Sequence, residues 1–217
     1  MTPQLGYTAG QVRAAEQPLL DAGEPLMRRA AAALAAELRG LAPRRILVLV
    51  GAGDNGGDAL FAAAELAAEG VTVDLVPTAS RHHADGATAA LAAGAQWRDA
   101  ADAARLAADA DVVVDGIVGT GSSPGLRGTA RDVVGAIVPV LSAPRRPRVV
   151  AVDIPSGISP DDGSVPDRAV LPADLTVTFG AIKAGLLLDP GSRYAGRVVL
   201  VDLGLGPYLG EPAVTAE

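Results

Sequence analysis

The chain has 217 residues, 25 acidic and 18 basic side chains, a net charge of −7 and no cysteine. At about 150 residues per domain this is one domain, large enough to bury its own core. The lack of cysteine excludes a disulfide scaffold, a Cys-ligated metal and a thiol nucleophile. The negative balance and the scarcity of Phe, Trp and Tyr argue against nucleic-acid binding through phosphates or stacked bases. Every basic residue but Lys183 is Arg, a bias that GC-rich codon usage explains together with the alanine excess.

In chain order, Thr8 is placed to cap a first helix, and residues 25–39 form a second with Gly40 at its C-terminus. That stretch carries Arg28, Arg29, Glu37 and Arg39, so it falls short of the roughly 20 apolar residues that span a bilayer. No basic and apolar leader opens the chain. The expected setting is cytoplasmic, with no membrane and no nucleic-acid partner.

Apolar runs follow at 46–50, 71–76, 112–114, 149–152, 175–179 and 198–201. They are rich in Val and Ile and scarcely alternate, as strands buried on both faces of a parallel sheet do. Helix-like segments at 58–69, 84–93, 100–108 and 129–141 separate them. This alternation predicts an α/β fold, a three-layer αβα Rossmann-like domain with a mostly parallel central sheet. The last two runs are joined by a stretch without a clear helix, which predicts an antiparallel edge strand. The domain is expected to span residues 1–210, with 211–217 as a tail or the start of a linker. Residues 143–148, rich in Pro and Arg, read as a helix-to-strand loop.

The first strand runs into Gly51-Ala-Gly-Asp-Asn-Gly-Gly-Asp58, in which Gly51, Gly53 and Gly56 satisfy G-x-G-x-x-G. Glycines there permit close backbone approach, and the following helix offers free N–H groups to a phosphate. A tight turn with no ligand explains the same glycines. A dehydrogenase would need an acidic residue at the tip of the second strand to hold ribose hydroxyls. Asp74 has the right spacing, but Leu75 and Val76 follow it and place it inside the strand. Asp54 and Asp58 would also repel a phosphate unless they meet a cation or ligand hydroxyls and amides.

Three more polar loops follow strands: Asp115-Gly-Ile-Val-Gly-Thr-Gly-Ser-Ser-Pro-Gly125, Asp153-Ile-Pro-Ser-Gly157 and Gly180-Ala-Ile-Lys-Ala-Gly185. In an open parallel sheet all four loops lie outside the carboxyl ends of the strands, where ligands bind. Asn55, Asp115 and the Ser156 hydroxyl supply oxygen donors suited to a hard cation. Asp115 and Asp153 read equally as caps of turns when each is taken alone. His82 and His83 read as surface residues at a helix start.

Together the four loops resemble the NAD(P)H-hydrate epimerase family, the YjeF amino-terminal domain. The family pattern N-N-G-G-D stands here as Asp54-Asn55-Gly56-Gly57-Asp58. The D-x-x-x-G loop matches Asp115 to Gly119, and D-[IL]-P-S-G matches Asp153 to Gly157. The T-x-x-x-G-x-x-K-x-G pattern matches Thr176, Gly180, Lys183 and Gly185, and Glu16 with Leu26 to Ala30 look like the family's opening helices. Asp54 in place of Asn, Ala59 in place of Gly and the lack of an aromatic residue in loop 119–125 depart from the pattern.

The resemblance implies an isomerase that interconverts the R and S epimers of NADHX and NADPHX, nicotinamide cofactors hydrated at ring carbon C6. A separate dehydratase then repairs the S form, and in many relatives the two are fused. It implies a homodimer, and one potassium ion at Asn55, Asp115 and Ser156. The implied substrate-binding residues are Asp54, Asn55, Gly56, Gly57, Asp58, Gly119, Thr120, Gly121, Ser122, Ser123, Pro124, Gly125 and Asp153. Lys183 joins them from its place in the fourth loop. Inversion of a hemiaminal carbon needs a proton donor and acceptor but no redox partner, and Asp153 is the expected catalytic residue. Two other readings stay open: a non-catalytic nucleotide-binding or protein-interaction module on the same fold, and a dinucleotide-dependent oxidoreductase.

Overall fold

In the computed structural model, which describes residues 3–121 and 124–216, strand β1 (Gln4–Tyr7) opens the chain. Helix α1 (Ala9–Asp21) follows, started by a capping box in which the Thr8 hydroxyl accepts from Gln11 N and the Gln11 side chain returns to Thr8 N. Then come α2 (Leu26–Gly40), β2 (Arg45–Val50), α3 (Asp54–Ala68), β3 (Thr72–Pro77), α4 (Ala84–Ala92) and β4 (Gln96–Trp97). The second half adds α5 (Ala103–Asp109), β5 (Val112–Gly116), α6 (Gly128–Ile137), β6 (Arg148–Val152), β7 (Leu175–Phe179) and β8 (Ile182–Lys183). It ends with α7 (Ser192–Ala195), β9 (Arg197–Val201) and β10 (Val214–Ala216). No helix among the described residues is long and apolar enough to cross a membrane.

Seven strands form the central sheet in the order β4-β3-β2-β5-β6-β7-β9. Side chains alternate across it. Ile46, Val48 and Val50 of β2 join α2, α3 and α4 on one face, while Leu47 and Leu49 join α5 and α6 on the other. The unalternating sequence of the strands is explained, since both faces are covered. The chain runs outward from β2 to β4, returns beside β2 as β5 and continues outward to β9. The switch point therefore lies between β2 and β5, where an α/β sheet opens a crevice for ligands.

The expected antiparallel edge is a correction. β9 pairs with β7 in parallel over five residue pairs, Leu175 with Arg197 through Phe179 with Val201. Residues 180–196 are not a hairpin loop, because β8, a 3₁₀ turn and α7 carry the chain back to the starting end of β7. Helix α3 also begins four residues earlier than the sequence predicts, so Asp54 to Asp58 are its first turns, and Gly40 lies within α2. A small second sheet, β10-β1-β8, ties both ends of the chain to the fourth loop. Tyr7 of β1 pairs with Lys183 of β8, and residues 214–216 of the C-terminal segment pair antiparallel with β1.

Candidate active site

The glycine loop and the loop after β5 are pressed together. Gly51 N–H donates to Gly116 O at 3.0 Å. A Cβ on Gly51 would collide with the Ile117 carbonyl, and one on Gly119 with the Asn55 side chain. These glycines are needed for the close approach of two loops. Asp54 stands exposed in the first turn of α3, where its charge favours the helix N-terminus and disfavours a phosphate there.

Asp115 is fully buried at the end of β5. Ser156 N donates to its Oδ2 at 2.8 Å and Ser156 Oγ to its Oδ1 at 2.6 Å. Burial raises the Asp115 carboxyl above its ordinary range, against the Ser156 donors that lower it. Asn55 Nδ2 donates to Val152 O at 2.6 Å, at the end of the neighbouring strand β6. Segment 116–119 runs between these groups, touching Asn55 at Gly119 and Ser156 at Val118. One carboxylate, one hydroxyl, one amide and nearby carbonyls are the donors a weakly charged hard cation prefers. Among the described residues no group of three or more His, Cys, Asp or Glu gathers as a metal site.

Asp153 follows β6 with φ 67, one of two non-glycine residues with positive φ among those described. This conformation is sparsely populated, though Asp tolerates it better than most residues, and such strain collects at working sites. Its Oδ1 accepts from the Lys183 ammonium, from Thr178 Oγ1 at 3.2 Å and from Phe179 N at 3.2 Å. The ammonium also donates to Phe179 O at 2.8 Å and to Thr178 Oγ1 at 3.3 Å. Lys183 is 1% exposed and Asp153 6%. Lys183, grouped by sequence with the substrate contacts, therefore lies beneath Asp153 and meets the site through it.

Asp153 lines a cavity of about 310 Å³ together with the apolar Leu26, Met27, Phe179 and Leu203 and the acidic Glu16, Asp54 and Asp58. An adjoining cavity of about 490 Å³ shares Glu16, Asp54, Asn55 and Thr120 and continues along 117–121. A third, of about 440 Å³, reaches Arg13, Pro124 and Asp161. Arg13 Nη1 donates to Thr120 O at 2.7 Å across the mouth. The three make one groove from α1 to the carboxyl ends of β2, β5 and β6.

Sequence reasoning did not single out Arg13, and it placed Glu16 only in a helix. Both sit on α1, whose packing over the strand ends no motif announces. The structure brings Asp54, Asn55, Asp58, Thr120 and Asp153 together, with Gly119, Gly121 and Pro124 further along the groove. Gly56 is packed on the Gly51 backbone and Gly57 faces Met27 and His83, so both serve packing. Gly125 lines an adjoining crevice with Gly51, Thr78 and Arg127, which shares Ala52, Ile117 and Val118 with the groove. Ser122 and Ser123 lie outside the described residues. His82 is exposed, and His83 caps α4 by accepting from Gly86 N. Asp74 is buried inside β3 between Arg45 at 2.7 Å and Arg98 at 2.6 Å, far from any role on a ribose.

Asp58 is 6% exposed, and its buried Oδ1 has no hydrogen-bond partner. Burial first, then Asp153, Asp54 and Glu16, push its carboxyl well above the ordinary range; burial likewise raises Glu16. A carboxyl raised by folding costs nothing below its unfolded pKa near 3.9 and weakens the fold as pH climbs past that value. Asp58→Asn should therefore match the wild type near pH 4 and exceed its melting temperature increasingly toward pH 8. At this chain length each kcal/mol relieved is about 2–4 °C. Thermal unfolding across that range checks it, and a melting difference independent of pH would contradict the ionisation penalty.

A three-layer αβα sheet with its polar groove at the switch point places the chain in the Rossmann-like class. The YjeF-related protein N-terminus family matches residues 23–185, and the chain belongs to that family. It is 57% identical over 219 residues to an NAD(P)H-hydrate epimerase of Clavibacter michiganensis, covering 97% of this chain and 95% of the relative. It is 55% identical to a protein of the same name from Microbacterium testaceum, over 97% of this chain and 83% of the relative. It is 42% identical to the bifunctional NAD(P)H-hydrate repair enzyme Nnr of Mycobacterium tuberculosis, over 92% of this chain and 41% of that longer protein. The crystal structure of yeast ynu0 shares the fold, with a TM-score of 0.76 at 16% identity over 96% of this chain and 95% of that one.

Proposed function

We propose that this protein is an NAD(P)H-hydrate epimerase, an isomerase that inverts C6 of the hydrated nicotinamide ring of NADHX and NADPHX. The observation that carries the reading is Asp153. It is a strained carboxylate pinned by Lys183, Thr178 and Phe179 N on the floor of a ring-sized cavity at the switch point. The names of relatives more than half identical over nearly the whole chain agree with it.

In this reading the nicotinamide ring enters beside Phe179 and Met27, whose apolar surfaces bring C6 to Asp153. Asp153 exchanges a proton with the C6 hydroxyl or its replacement, in the general acid–base manner that contributes about 10²–10⁴-fold. Thr120, Gly121 and Arg13 line the path for the rest of the dinucleotide, and the Arg13 guanidinium offsets the phosphate charge. Potassium belongs to the proposal at Asn55, Asp115 and Ser156, where it would brace the loops against substrate rather than act as a strong Lewis acid. The working unit is a cytoplasmic homodimer, and its S product passes to a separate dehydratase.

The deciding experiment follows purified S-NADHX by NMR or chromatography, with and without the protein. Acceleration of R/S exchange is expected. Binding of dinucleotide with no exchange would instead favour a non-catalytic module. Replacing potassium by sodium should lower the rate. Gly119→Ala, which displaces Asn55, should raise the potassium concentration needed for half-maximal rate. A rate indifferent to the cation in both proteins removes potassium from the site.

A further inference from the structure

This inference rests on the epimerase reading and concerns how C6 is inverted. A hemiaminal carbon offers two routes. In one the N1–C6 bond breaks, the ring opens to an aldehyde and it recloses on the other face with the same oxygen. In the other the C6–O bond breaks, and the ring passes through a cation with a C6=N1 double bond. The first route leaves the ring without net charge. The second places a positive charge on it and needs an acid at the departing oxygen.

The cavity that Asp153 lines suits the second. Its walls carry Glu16, Asp54 and Asp58, and no Arg or Lys is among its described lining residues. Carboxylates around a forming cation lower its energy. Asp58 is more than nine-tenths buried, shares that cavity with Asp153 and has an Oδ1 with no partner. Burial and the neighbouring Asp153, Asp54 and Glu16 favour its protonated form. Asp153 is held differently: three donors meet its Oδ1 and fix the carboxyl group in the same cavity.

We infer that Asp58 and Asp153 are an acid–base pair that inverts C6 by dehydration and rehydration, within an acidic wall that stabilises the ring cation. The Asp58 carboxyl gives its proton to the C6 hydroxyl. The C6–O bond breaks with its electron pair on oxygen, which leaves as water, and the N1 lone pair forms C6=N1. A solvent water then adds to the opposite face of C6. Its oxygen lone pair makes the new bond, the C6=N1 pair returns to N1, and its spare proton goes to Asp153. The opposite inversion runs the same steps backward with the two roles exchanged. Between turnovers in one direction, solvent water carries the proton from Asp153 back to Asp58.

The test incubates isolated R-NADHX with the full chain in oxygen-18 water and weighs the S epimer at the earliest times by mass spectrometry. Each S molecule should carry a solvent oxygen from its first appearance. S epimer that keeps the original oxygen means ring opening and overturns the inference. Asp58→Asn should lower kcat by about 10²–10⁴-fold and leave the Kd for ADP-ribose within about threefold. An unchanged kcat overturns the role of Asp58. The label is read on the wild type, so it decides the route even if the variant does not fold. If the wild type does not accelerate R/S exchange at all, the epimerase reading fails, and that result is distinct from exchange without label.

Discussion

Asp153→Asn should reduce kcat for R/S exchange by about 10²–10⁴-fold, or about 3–5 kcal/mol of transition-state stabilisation, with little change in dinucleotide affinity. The side chains are nearly isosteric, and Asn tolerates the positive φ at this position as well as Asp does. The loop after β6 should keep its path, and Asn55 and Ser156 their partners. An amide cannot exchange the proton, and it leaves the buried Lys183 ammonium without its anion, so the variant should also melt at a lower temperature and its kinetics be read where it is folded. The loss should therefore fall on kcat rather than KM, the pattern of an interaction made in the transition state. Steady-state kinetics on both epimers beside ADP-ribose titration separates the two. Full turnover in the variant would reject Asp153 as the reacting group. A matched loss of affinity would recast it as a substrate contact.

The elements that place this residue were legible because each has a local cause. Both-face burial explains the Val-rich runs, and Thr8 marks a helix start that the structure completes with Gln11. The four polar loops fall at strand ends because an all-parallel sheet brings every such end to one edge. What was not legible depended on contacts distant in sequence. β1 and β8 are too short to show a pattern, and their pairing exists only once the sheet has closed. The direction of β9 is set by the path of 180–196, which contains no long helix to betray a crossover. Glu16 and Arg13 look like ordinary polar positions of an amphipathic helix, and only the lay of α1 across the strand ends makes them site residues.

The glycine loop shows the same division within the site. Its G-x-G-x-x-G spacing marks a phosphate cradle in other Rossmann-like proteins. Here Gly51 admits the Ile117 carbonyl and Gly56 admits Gly51, while Asp54 puts a negative charge in the first turn of the helix. The motif's glycines were readable; the use of that room, to seat a second loop against the first, was not. This packing fixes Asn55 against Gly119 and carries Asp58 toward Asp153, so the loop that resembles a nucleotide cradle also assembles the carboxyl groups.

Lys183→Met should weaken the fold by about 3–5 kcal/mol, the usual effect of removing one partner from a buried ion pair. For a chain of this size that is a fall in melting temperature of about 6–20 °C. Met fills the space of the lysine stem, so the loss is electrostatic rather than a cavity. Asp153 would be left 6% exposed beside Glu16 and Asp58, with no cation on its Oδ1. Adding Asp153→Asn to Lys183→Met should recover part of the stability, because the stranded charge is gone; strict additivity would show that the pair is not coupled. Lys183→Arg keeps the charge and should still lose activity. The ammonium is a compact donor to Asp153 Oδ1, Phe179 O and Thr178 Oγ1 at once, in a space 1% exposed. A planar guanidinium is larger and directs its donors as a fork, so it cannot meet those three acceptors from one point. In a chain whose other basic residues are all Arg, this is the position where the geometry demands an ammonium. Full activity of the Arg variant would return the lone lysine to chance.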